Sequence, residues 1–199
     1  MEFDIEDTPP TREDALSAVR TIIKYIGDDP EREGLIDTPE RVVRSWDKLF
    51  GGYQQDPKDI MKAVFDKDGY SQMILLGPIE YWSHCEHHMI PFHGSVHVGY
   101  IPGEDGKVVG VSKLARTVEV FARRLQIQER LTQQIADAVA EHTQAKGVGV
   151  VVRGRHLCMI ARGVEKQRPV MTTSALRGAF LTEPETRAEF FRLSHTSEQ

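Results

Sequence analysis

Cysteine and tryptophan are scarce in this chain, two of each among 199 residues, and no long apolar run occurs anywhere in it. Two cysteines cannot build a disulfide framework. With no secretory leader legible at the start, they argue for a reducing compartment and a cytoplasmic protein. No stretch approaches the roughly 20 consecutive apolar residues of a membrane-crossing helix, so a membrane is not an expected partner. Basic charge is not in excess either: 25 Lys and Arg against 30 Asp and Glu leave a formal net charge of -5. That excludes the broad positive field by which nucleic acid is gathered. An anionic small molecule would have to be met by local clusters of Lys and Arg. Internal repeats and low-complexity linkers are missing too. What remains, 28% charged and 40% hydrophobic, suits one compact domain plus a modest extension.

The acidic stretch from Met1 to Arg12 lacks an apolar core and reads as a short tail. Thr11 and Asp14 then form a capping-box pattern ahead of Leu16, Val19, Ile23 and Ile26 on one helical face. Thr38-Pro39 starts a second helix, with Val42, Val43, Trp46, Leu49 and Phe50 as its stripe and Gly51-Gly52 as its stop. Residues 56–70 are mixed in character and fit either helix or loop. From Gln72 the period changes to two. Met73–Leu76 and Ile79–Trp82 read as strand broken by Gly77-Pro78, and Val96, Val98 and Tyr100 alternate with Ser95, His97 and Gly99. Gly103-Glu104-Asp105-Gly106 is expected to turn that strand back into Lys107–Val111. A helix from Ser112 (Leu114, Val118, Phe121, Leu125 inward) and another from Glu129 to Gln144 (Leu131, Ile135, Val139, His142) follow. Gly147–Val152 and His156–Ala161 read as a closing hairpin through Gly154, and Thr182 with Glu185 cap a last short helix. The order after the helical preface, strand, strand, helix, helix, strand, strand, predicts an α+β fold with an antiparallel sheet and a helix pair on one face. Residues 1–70 are read as an N-terminal helical extension and 71–199 as the catalytic domain.

Chemistry concentrates at Cys85-Glu86-His87-His88, where a thiol and an imidazole three apart can be aimed at one ion by a tight turn. The only other cysteine is Cys158. Two Cys and one His suit zinc, and three protein ligands leave the fourth tetrahedral position to water, whose pKa zinc can lower to about 7. The alternative is that both cysteines are small buried hydrophobes. His87 and His88 are adjacent, so a turn can give one to a metal and the other to substrate. His156 and Cys158 stand two apart in an expected strand, hence on one face.

Several motifs carry a family resemblance: Ser83-His84-Cys85-Glu86-His87-His88, Pro91-Phe92-His93-Gly94, Gly110-Val111-Ser112-Lys113, Gln126 to Thr132, His156-Leu157-Cys158 and Ala161-Arg162-Gly163-Val164-Glu165-Lys166. Together, in this order and from Thr38-Pro39-Glu40-Arg41 to Thr172-Thr173-Ser174, they resemble GTP cyclohydrolase I. The resemblance implies a tunnelling fold, in which sheets of several subunits join into a barrel and two pentameric rings stack as a homo-decamer. It implies hydrolysis of GTP to formate and 7,8-dihydroneopterin triphosphate, the first step of tetrahydrofolate or pterin biosynthesis. By similarity Cys85, His88 and Cys158 are the ligands of one zinc ion per subunit. His87 and His156 are then proton-transfer residues, Gln128 and Glu129 sit at the guanine, and Ser112 stands with the catalytic set. Lys113, Arg116, Arg162 and, from a neighbouring copy, Arg41 lie along the ribose and triphosphate.

These residue types suit that reaction. Carbon 8 of guanine is a poor electrophile, and protonation at N7 beside the metal would activate it, a task for an imidazole that titrates near neutrality. His87 is the candidate for N7, and His156 for a second acid–base step. The Glu129 carboxylate can accept from guanine N1–H and the 2-amino group together, a pattern adenine cannot offer. Lys113 and Arg116, three apart on one helical face, supply positive charge that the whole chain lacks. Arg123, Arg124, Arg153 and Arg155 are read as solvated. A zinc nucleobase deaminase is excluded, since neither H-x-E nor P-C-x-x-C occurs. A non-catalytic zinc-containing assembly protein of the same fold is the remaining alternative, disfavoured by three rather than four soft ligands.

Overall fold

The computed structural model describes residues 9–62, 64–104 and 107–196. The expected tail therefore lies, up to residue 8, outside the described residues, as do Asp105 and Gly106 of the expected turn. The chain divides after Leu49 into two compact units.

In the first, helix α1 (Arg12–Tyr25) opens on the capping box: the Asp14 N–H donates to Thr11 Oγ1 at 3.2 Å and the Thr11 N–H to Asp14 Oδ2 at 2.8 Å. Leu16, Val19 and Ile23 pack against Val43 of α2 (Thr38–Leu49), with Val42 and Trp46 at the margin. Ile26, expected on the same face, is exposed at the C-cap, because the helix has already ended at Tyr25.

The second unit begins with a 3-10 turn (Gly51–Gln54), a short helix α3 (Pro57–Met61) capped by Asp56, and strand β1 (Val64–Asp66). Then come β2 (Ile74–Cys85), β3 (Pro91–Ile101), β4 (Lys107–Val109), α4 (Val111–Ala122), β5 (Leu125–Gln126), α5 (Gln128–Thr143) and β6 (Gly147–His156). A one-turn helix α6 (Leu157–Ile160), β7 (Met171–Gly178), α7 (Ala179–Thr182) and α8 (Pro184–Thr196) complete it. The sheet runs β5-β2-β3-β6-β7, antiparallel except that the two-residue β5 lies parallel to β2. Helices α4 and α5 bury Leu114, Val118, Phe121, Leu131, Ile135 and Val139 against Tyr81, Phe92, Val96, Val98, Tyr100 and Val148, Val150, Val152 of the sheet. On the opposite face Phe180 and Phe190 cover Val151. Gly149 leaves room for them, since a Cβ there would stand 2.6 Å from the Phe180 ring. The fold is thus α+β, with the helix pair on one face as the alternation predicts. Among the described residues no helix is long and apolar enough to cross a membrane.

Five local expectations are corrected. Gly77-Pro78 does not break the strand: β2 continues through it, and the irregularity is absorbed between Leu76 and Ile79, where Gly77 lies flat against the His97 ring. Lys107–Val109 does not pair back on β3 but on β1, and the Tyr100 hydroxyl of β3 accepts the Val109 N–H at 3.0 Å. Leu125 belongs to β5 rather than to the α4 stripe, and Thr143 rather than His142 is buried at the end of α5. No hairpin forms at Gly154. Strand β6 runs straight through it to His156, paired with Gly94 on one side and Met171 on the other, and the closing strand is β7. The reason for glycine is proximity, not a turn: a Cβ at 154 would lie 2.3 Å from Gln128 Oε1.

Candidate metal centre and active site

The β2–β3 connection is a tight turn built on one carbonyl. Cys85 C=O accepts from the N–H groups of His88 and Met89 at 3.2 and 2.8 Å, while the Cys85 N–H donates to Ile90 C=O at 2.9 Å. Met89 takes a positive φ of 55° to complete it. Glu86 is tied to the neighbouring strand by its N–H to Gln126 C=O at 3.0 Å and to Arg130 by an ion pair. So braced, the turn places Cys85 Sγ 3.6 Å from His87 Nδ1 and 4.0 Å from His88 Nδ1. Cys158 arrives at the same end of the sheet on α6, directly after β6, whose His156 pairs with Phe92 as Ser83 does from the other side. Its thiol, the Cys85 thiol and a ring nitrogen of His88 lie within 4.8 Å of one another.

Such a donor set fits a single borderline-soft ion. Burial pushes the Cys158 thiol above its ordinary range, and the adjacent Cys85 sulfur adds to this by charge and hydrogen bonding; Arg162 opposes it weakly. A bound cation would offset these effects at Cys158, since a thiol enters a metal site as its thiolate. Two soft sulfurs and one imidazole are the set that suits zinc.

A cavity of about 190 Å³ opens on the three donors. Its other walls are His87, Gln126, Ile127, Gln128, Glu129, His156 and Met171. His156 Nε2 stands 2.9 Å from Gln128 Oε1, and the ring is stacked on Phe92 with centroids 4.6 Å apart and planes 5° off parallel. Burial holds the His156 imidazole below its ordinary range, while the negative charge of Glu129 pulls the other way. Glu129 is exposed in the first turn of α5, where the helix dipole favours a carboxylate. Arg162 reaches back to His88, its guanidinium 3.1 Å from Nε2.

The structure thus brings together Cys85, His87, His88, Gln128, Glu129, His156 and Cys158, with Arg162 at the edge. Ser112, Lys113 and Arg116 lie on the first turns of α4 and are not among the cavity walls. Arg41 lies on α2 in the other unit, 3.0 Å from Asp37. Sequence reasoning missed the supports: Phe92 beneath His156, Thr132 and Thr173 behind Gln128, and the Glu86–Arg130 brace. All five residues stand in the motifs quoted above, which do not say what they touch. A larger hollow of about 540 Å³ lies on the opposite face of the sheet, between Glu80, His93, Ser95, Arg153 and Arg155.

Two thiols and an imidazole at the mouth of a cavity walled by two further histidines and a carboxylate define a class: a site suited to one metal ion, of the hydrolytic kind. Residues 15–195 match the model of the GTP cyclohydrolase I family, so the chain belongs to that family. It is 59% identical over 172 residues to the GTP cyclohydrolase 1 of Wolinella succinogenes, covering 86% of this chain and 91% of that one. Its identity to the enzyme of Chlorobium chlorochromatii is 52% over 194 residues (94% and 86% covered), and to that of Campylobacter lari 52% over 182 residues (92% and 95%).

Proposed function

We propose that this chain is a zinc-dependent GTP cyclohydrolase I, converting GTP and water to formate and 7,8-dihydroneopterin triphosphate by opening the imidazole ring at C8. The observation that carries the reading is the convergence of Cys85, His88 and Cys158 within 4.8 Å beside a cavity walled by His87, His156 and Glu129. Cys85, His88 and Cys158 hold the ion. What zinc supplies there is the activation of water at neutral pH. The protein's own groups do the rest. Glu129 accepts from guanine N1–H and the 2-amino group, selecting guanine over adenine and orienting C8 toward the metal; Gln128 stands beside it. His87 delivers a proton to N7 and so makes C8 electrophilic, and His156 moves a second proton during ring opening. Ser112, Lys113, Arg116 and Arg162 hold the ribose and triphosphate, joined by Arg41 of a neighbouring copy.

Residues 71–199 form the catalytic domain in this proposal and 1–70 its helical extension. The sheet is one segment of a tunnelling-fold barrel in a homo-decamer of two stacked pentamers, acting in the cytoplasm at the entry to tetrahydrofolate or pterin synthesis. Two features support assembly. Among the described residues β7 pairs only with β6, and β2 has only β3 beside it from Ile74 to Ser83, so both long edges offer unpaired backbone groups to another copy. The α4 residues, moreover, need an active site to which more than one copy contributes. Incubating purified protein with GTP tests the function. Formate and a pteridine that fluoresces after oxidation should accumulate together, and GTP left intact in the presence of stoichiometric zinc would refute it.

A further inference from the structure

The hydrogen bonds around Gln128 can be directed one by one, and they end on a single nitrogen of His156. Gln128 is buried at the start of α5. Its Nε2 lies 3.1 Å from Val152 C=O, 3.0 Å from Met171 C=O and 3.2 Å from Thr173 Oγ1. Carbonyl oxygens only accept, so the amide nitrogen must be the group facing them; the flipped amide would set oxygen against two oxygens. The hydroxyls agree with this orientation. Thr132 Oγ1 donates to Gln128 C=O at 2.6 Å, and therefore accepts from Thr173 Oγ1, also at 2.6 Å. Having given its hydrogen to Thr132, Thr173 keeps lone pairs for the Gln128 N–H. Gln128 Oε1 is left toward His156 Nε2, 2.9 Å away, and an amide oxygen can only accept. The hydrogen therefore sits on Nε2. Nδ1 of the neutral ring carries the lone pair, with Phe92 stacked on the ring to fix its plane. Gly154 completes the device, because any side chain there would meet Gln128 Oε1 at 2.3 Å and Tyr81 Oη at 2.6 Å.

We propose that Gln128 is a positioning residue that holds the His156 hydrogen on Nε2, so that Nδ1 is the ring atom left to exchange a proton in the reaction. Nε2–H stays on Gln128 throughout. The inference deepens the proposed cyclohydrolase reading and takes from it the role of His156 in proton transfer. It differs from a direct contact between the Gln128 side chain and guanine, since the carboxamide is already engaged by the protein on every polar atom.

Proton–nitrogen NMR on full-length protein labelled with 15N-histidine tests the lock without substrate. The wild type should show a downfield, slowly exchanging Nε2–H resonance, assigned to His156 by its loss in His156→Ala. In Gln128→Met, similar in length but without hydrogen-bonding groups, that resonance should vanish. In the same variant kcat for GTP should fall about tenfold or more with KM within about twofold, the pattern of a lost orienting contact. A wild-type ring protonated at Nδ1, a resonance that survives Gln128→Met, or a raised KM with unchanged kcat each overturns the proposal. Should Gln128→Met fail to fold, the wild-type spectrum alone decides between Nε2–H and Nδ1–H. A wild-type protein that shows the resonance but leaves GTP intact sinks the cyclohydrolase reading and keeps the lock.

Discussion

Cys158 depends on its neighbour. Burial and the Cys85 sulfur resist its ionisation, and a bound cation would offset both. Replacing Cys158 by Ala removes one of the three proposed ligands. Metal affinity should fall by more than about 100-fold, since even partners outside the first ligand shell cost roughly 10–100-fold when lost. Metal analysis after dialysis should find stoichiometric zinc in the wild type and traces in the variant; equal content in both would remove Cys158 from the ligand set. Asp28 shows the opposite effect on a carboxyl. Hydrogen bonds from Arg32 chiefly, and from the Asp29 N–H, lower it from 3.8 to about 2. A depressed carboxyl contributes stability that is present above its unfolded value and lost as pH falls through the folded one. The small contribution of this exposed pair should disappear between about pH 4 and pH 2. Carboxyl 13C titration should place the Asp28 midpoint near the lower figure, and a midpoint near 3.8 would show that the contact is not kept in solution.

Elements differ in how far their reasons lie from them in sequence, and Gly154 is the clearest case. Inside β6 it permits the close passage of the α5 amide, so Gly154→Ala drives a methyl into Gln128 Oε1 and Tyr81 Oη. Overpacking of that kind costs about 1–3 kcal/mol. Urea unfolding of the variant should show a loss in that range, whereas wild-type stability would mean that the strand yields without cost. Read from sequence, the same glycine suggested a turn, because a turn is the local reason for glycine and the amide 26 positions earlier is invisible in the string. The capping box of α1 was legible for the converse reason: Thr11 and Asp14 satisfy each other. The turn of Cys85 to His88 was legible from its spacing, and the α4 and α5 stripes from their period. Pairing of β4 with β1 was not, since Val64–Asp66 is three residues long and has no pattern of its own. The resemblance joined Cys158 to Cys85 in advance, but its arrival on a helical turn after β6 rather than within a hairpin follows only from the course of the chain.

At the scale of the molecule, the sheet is unfinished at both margins. Edge strands as long as β2 and β7 are ordinarily shortened, charged or covered in proteins that stay monomeric. Here they remain long, β2 despite its irregularity between Leu76 and Ile79, with Glu80 and Arg177 among their few charges. The chain is therefore expected to sediment as a ring-forming homo-oligomer, near ten times the 22.5 kDa of one copy if the decameric proposal holds. A species of 22.5 kDa that turns over GTP would rule out sites shared between copies.

Trp82 is stacked on His93 with centroids 4.3 Å apart, 47% of it accessible, on the side of the sheet that α8 leaves open. The chain has only one other indole, Trp46, in the first unit. Removing that one as Trp46→Phe leaves a single-colour optical reporter stacked on His93, which lines the 540 Å³ hollow. Emission from Trp82 should shift to shorter wavelength if a neighbouring copy covers this face, so that the proposed assembly could be followed in a cuvette without any attached dye.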